Sequence, residues 1–81
     1  HLEIDIICEK DGWLIFVEVK LRGDSEHGLP EENVGKSKQN FLIKAADIYL
    51  NQNDWVGKVR FDVIAITVSP FEVVHLEDAF Y

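Results

Sequence analysis

Apolar and polar residues alternate from Leu2 to Glu9, pause at Lys10-Asp11-Gly12, and give way to a run rich in Leu, Ile, Phe and Val from Trp13 to Lys20. Alternation with a period of two marks a strand, and Asp-Gly between two such runs is a two-residue hairpin turn. Residues 22–35 hold Gly23, Gly28, Pro30, Gly35 and several acids and read as a loop leading to a helix start. From Lys36 to about Asn53, the residues Phe41, Leu42, Ala45, Ile48 and Tyr49 fall within an arc of roughly 120°, the stripe of an amphipathic helix. Asn51, Asn53 and Gly57 mark the next loop. Val59 to Val68 is apolar on both faces, as expected of a central strand covered on two sides. Ser69-Pro70 then turns the chain into a short strand, Phe71 to Leu76. The pattern predicts an α/β fold of order β-β-α-β-β, one domain over residues 1–81.

The turn fixes an arithmetic. With Asp11-Gly12 as the two turn residues, facing residues of the hairpin have numbers that add to 23. Ile4 then pairs with Val19, Ile6 with Val17 and Cys8 with Ile15, an apolar face on which Cys8 is expected to be a small core residue. The opposite face gathers Glu3, Asp5, Glu18 and Lys20. Two carboxylates directly opposite each other destabilise a sheet, so folding does not ask for Asp5 beside Glu18. A divalent cation does, because a hard ion such as Mg²⁺ is held by one or two carboxylates and keeps waters or phosphate oxygens for the rest. Lys20, two residues along, adds a cation for a phosphate or an attacking water. The plainer alternative is a solvated polar face with a weak Glu3–Lys20 ion pair.

Composition bounds the partners. The 81 residues carry 8 Lys and Arg against 15 Asp and Glu, a net charge of −7, while 47% apolar residues indicate a packed globule rather than an acidic disordered tail. An acidic chain is a poor nucleic-acid binder on average. The charge is uneven, however: −6 over residues 1–34, +3 over 35–60 and −4 over 61–81. The basic segment is the helix. The single Cys8 excludes an internal disulfide, no apolar stretch nears the ~20 residues of a membrane span, and a bacterial-type cytoplasm is the expected location. With no Met and an opening in mid-strand, an amino-terminal piece is expected to be missing.

The order of Glu3-Ile4-Asp5, Phe16-Val17-Glu18-Val19-Lys20, Gly28-Leu29-Pro30-Glu31-Glu32, Lys38-Gln39, Arg60-Phe61-Asp62-Val63 and Glu77-Asp78-Ala79-Phe80 resembles the YraN-like family of bacterial proteins over almost the whole chain. That family resembles the PD-(D/E)XK nuclease superfamily, whose fold is similar to type II restriction enzymes and archaeal Holliday-junction resolvases. The resemblance implies a restriction-endonuclease-like mixed β-sheet. It also implies Asp5 and Glu18 as metal ligands for Mg²⁺ or Mn²⁺, and Lys20 as the residue that orients water and offsets transition-state charge. Family members usually begin with a helix bearing a Gly-Glu pair and a first strand, neither of which is in these residues, and Leu2 stands where Gly is frequent. Lys38 and Gln39 match polar positions near the site of related nucleases and are supporting residues, as is Glu3. Lys38 is expected to reach a bound phosphate, the alternative being that it snorkels to solvent.

Of the remaining candidates, Lys36 and Lys44 are read as solvated charges able to track a nucleic-acid backbone, and Asp62 as a structural carboxylate serving Arg60 or backbone donors. His27 and His75, without ligand spacing, are read as surface or strand-packing residues, and Trp13, Tyr49 and Trp55 as core or rim. The expected activity is Mg²⁺- or Mn²⁺-dependent hydrolysis of DNA, a branched or single-stranded form included. A catalytically inactive nucleic-acid-binding or protein-interaction module on the same fold is the alternative, and association into a homodimer through edge strands fits either.

Overall fold

A computed structural model describes residues 4–22 and 35–80. Glu3, His27 and the Gly28-Leu29-Pro30-Glu31-Glu32 motif lie outside the described residues, as does most of the expected loop at 22–35. The elements are β1 (Ile6–Lys10), β2 (Trp13–Arg22), α1 (Lys36–Asn53), β3 (Lys58–Val68) and β4 (Phe71–Phe80). They form one mixed sheet of order β1-β2-β3-β4, in which β1 runs antiparallel to β2, β2 parallel to β3, and β3 antiparallel to β4. This is the predicted β-β-α-β-β order. A parallel pair needs a crossover, and α1 lies within it.

The hairpin register follows the turn. Ile6 pairs with Val17, Cys8 with Ile15 and Lys10 with Trp13. Asp11 and Gly12 both take positive φ, 53° and 83°, as a type I′ turn requires. The core lies on the face of Leu14 and Phe16 of β2 and Phe61 and Val63 of β3, against Leu42 and Ala46 of α1. Phe16 stacks on Phe61 and Phe61 on Phe80, with ring centroids 5.4 and 5.1 Å apart, while Tyr49 of α1 meets Phe16 edge to face. Each contact of this kind adds about 0.5–1.5 kcal/mol to the area it buries.

Three expectations are corrected. Cys8 is exposed and not a core residue. The helix packs on the opposite face, where central strands β2 and β3 are apolar on both sides and the even-numbered residues of β2 meet α1. The helix buries Leu42, Ala45 and Ala46, whereas Phe41 and Ile48 are nearly half exposed. These two occupy one margin of the predicted arc, and the buried stripe is rotated toward the other margin and past it to Ala46, which the arc did not include. Finally, β4 continues four residues past Leu76, to Phe80, because a bulge lets it stay paired. Val63 pairs with Leu76 and Phe61 with Phe80, so four steps along β4 match two along β3, and Asp78 within the bulge has φ 54°.

Candidate functional site

β1 ends its regular pairing at Ile6, and Asp5 occupies a bend just before it. Continuing the register would bring Ile4 opposite Val19; the Val19 N–H instead donates to Asp5 Oδ2 at 2.9 Å. That bond steers the carboxylate toward β2. Glu18 of β2 pairs with Val63 of β3 and shares the helix-facing side with Phe16. Its residue exposure is only 7%. Asp5 and Glu18 are therefore brought together, though through a bend and not through continuous strand pairing.

Burial pushes the Glu18 carboxyl above its ordinary value, opposed by Lys38, and the neighbouring Asp5 charge and a hydrogen bond to Asp5 push it further up, against Lys20. The two carboxyl groups are thus near enough to raise one another's cost of ionisation. Lys38 Nζ lies 3.6 Å and Lys20 Nζ 3.8 Å from the same atom, Glu18 Oε2. Lys20 reaches it from two residues along β2, and Lys38 from the first turn of α1. Gln39 is half-buried beside Lys38, and its backbone N–H donates to the Gly35 carbonyl at 2.9 Å. Lys36 and Lys44 are exposed.

This donor set fits a hard divalent cation. Among the described residues no group of three or more His, Cys, Asp or Glu side chains gathers, so the described site offers two carboxylates. Two suffice for Mg²⁺ or Mn²⁺ when water and phosphate oxygens complete the shell.

A second polar cluster occupies the other face of the sheet. Asp62 is buried at 1% exposure and accepts from Arg60 Nε and Nη2, both at 2.8 Å, and from the Asp78 N–H at 3.0 Å. His75 Nε2 lies 2.7 Å from Asp62 Oδ2. Burial opposes ionisation of Asp62, but the hydrogen bonds from Arg60, Asp78 and His75 and the Arg60 charge outweigh it and hold the carboxyl below its ordinary value. Asp62 is the structural carboxylate expected. The role of His75 was not visible in the sequence, because it depends on Ile64 pairing with His75 across β3 and β4.

Residues 1–66 match the family model described as Uncharacterised protein family UPF0102. The chain belongs to the UPF0102, or YraN-like, family. A UPF0102 protein of Clostridium beijerinckii is 46% identical over 83 residues, covering 96% of this chain and 68% of that protein. One from Natranaerobius thermophilus is 49% identical over 83 residues, covering 96% and 70%, and one from Flavobacterium psychrophilum 42% identical over 81 residues, covering 98% and 68%. Among the described residues of this family member no helix is long and apolar enough to cross a membrane.

Proposed function

We propose that the chain is the core of a metal-dependent nuclease acting in the cytoplasm on phosphodiester bonds of DNA, branched or single-stranded forms included. One observation carries the reading. A nearly buried Glu18 carboxylate faces Asp5 and two lysines in one spot, an arrangement that folding stability alone disfavours. Asp5 and Glu18 would hold Mg²⁺ or Mn²⁺. When bound, the ion supplies Lewis-acid polarisation of the phosphoryl oxygen and lowers the pKa of water at the site. Asp5, oriented by the Val19 N–H, and Glu18, fixed by β2, keep the donor oxygens in place before substrate arrives. Lys20 orients the attacking water and offsets the negative charge that develops on the phosphoryl oxygens.

The test uses the full-length protein with single-stranded, duplex and four-way-junction DNA and Mg²⁺ or Mn²⁺. Asp5→Asn and Glu18→Gln are expected to lower cleavage by at least about 100-fold, the scale of losing one electrostatic contributor to a transition state. Cleavage that survives both substitutions refutes the assignment.

One observation favours the second reading, a non-catalytic nucleic-acid or protein interaction module: two ammonium groups already neutralise Glu18 without a metal. A wild-type protein that binds DNA but gives no heat with Mn²⁺ supports that module. Homodimerisation is compatible with either reading, since β1 and β4 are the outer strands of the described sheet and β4 exposes Phe71 and Val73.

A further inference from the structure

Lys38 stands in an electrostatically awkward place. The first turn of a helix carries partial positive charge, so lysines there are unfavourable, yet the first turn of α1 has no acid and holds both Lys36 and Lys38. Only Lys38 has a described counter-charge that explains its position, Glu18 Oε2 at 3.6 Å. The contact is an ion pair too long for a direct hydrogen bond, and the Lys38 side chain remains 42% exposed. Lys20 meets the same oxygen at 3.8 Å but is held on β2, two residues from Glu18, with a side chain only 23% exposed. Of the two cations, Lys38 is the one on a separate element with a long, partly solvated arm.

A divalent ion on that carboxylate brings two positive charges to about 2 Å from oxygen. Two ammonium groups and a divalent ion around one carboxylate are mutually repulsive, and the least constrained partner leaves first. Resting on the metal-site reading above, we propose that Lys38 is the resident counter-ion of Glu18. It is displaced when the divalent cation loads and released to pair with a phosphate of the nucleic acid. Lys38 thereby couples metal loading to substrate binding: it competes with the metal while Glu18 is its partner and favours DNA once it is free. It is a positioning residue, acting through Glu18 and the substrate backbone.

The coupling makes two effects of one substitution run in opposite directions. Calorimetric titration of the full-length protein with Mn²⁺ alone is expected to give a Kd about ten-fold lower for Lys38→Gln than for the wild type, the scale of one neighbouring charge at a partly buried site. Lys38→Arg, which keeps the charge, retains the wild-type Kd, and so does Lys36→Gln. In Ca²⁺ buffer, single-stranded DNA binding by Lys38→Gln weakens, and its dependence on log salt falls by roughly one phosphate contact. Circular dichroism confirms that each variant is folded. A Lys38→Gln protein whose Mn²⁺ affinity is equal to or weaker than wild type overturns the exchange, as does a Lys38→Arg protein that binds Mn²⁺ more tightly. The metal-site reading is judged separately. If wild type binds no Mn²⁺, or if Asp5→Asn binds it unchanged, that reading fails and the exchange with it. If wild type binds and Asp5→Asn does not, a failed exchange leaves the metal site standing.

Discussion

Asp62 offers the sharpest test of what holds the sheet together. Its carboxylate is buried at 1% exposure and takes two hydrogen bonds from Arg60, one from the Asp78 backbone and one shared with His75. Asp62→Asn keeps the shape, removes the charge and turns an NH₂ group toward donors. Removing one partner of a buried ion pair costs about 3–5 kcal/mol, and because the Arg60 side chain retains 19% exposure, the lower end, about 3 kcal/mol, is expected. For a domain of this size each kcal/mol moves Tm by about 4–8 °C, so Tm should fall by about 12–24 °C. The pH dependence has a definite sign. The folded carboxyl is held below its ordinary value of 3.8, so its contribution is fully present above that value and lost as pH falls through the depressed folded one. Urea unfolding from pH 7 down to pH 2 reads both effects: the stability gap between wild type and Asp62→Asn should be largest at neutral pH and close in acid. A gap under about 1 kcal/mol at pH 7, or one that does not narrow in acid, refutes the reasoning. Replacing the pair together, Arg60→Met with Asp62→Leu, should recover much of the loss.

Two more outcomes follow from the same geometry. Glu18 has a raised folded value, so what it contributes is present below the ordinary 4.5 and lost as pH rises through the folded value. Glu18→Gln should therefore melt higher than wild type at pH 7, and a lower melting temperature by scanning calorimetry contradicts this. Gly57→Ala places a Cβ 2.8 Å from the Trp55 ring and 3.1 Å from the Gly12 carbonyl. It should cost about 1–3 kcal/mol of overpacking, whereas an unchanged urea midpoint contradicts the crowding.

The turn made the hairpin legible, since Asp11-Gly12 fixes both the register and the side on which Glu18 and Lys20 emerge. The helix and the element order were legible from period and punctuation. What escaped were relations between distant segments. Nothing in a strand apolar on both faces, such as β2, says which face a helix will cover, so the core face and the exposure of Cys8 were misplaced. The length of β4 depends on a bulge stabilised by Asp62, a residue 16 positions earlier than the Asp78 it binds. The reach of Lys38 to Glu18 likewise depends on where the crossover sets α1 down. The Asp5–Glu18 approach was foreseen, but the bend and the Val19 hydrogen bond that achieve it were not.

Surface turns are ordinarily where a protein absorbs insertions most easily. The Asp11-Gly12 turn is exposed, yet it behaves as a length standard for the far end of the hairpin. One added residue would shift β1 by one step against β2 and send Asp5 to the face away from Glu18. The same step would turn Ile7, which packs against the core, to the other face, so one residue at the turn would disturb the core edge and dismantle the carboxylate pair from about six residues away, roughly 20 Å along the strands. In this protein the segment freest to vary by solvent exposure is among the least free by geometry.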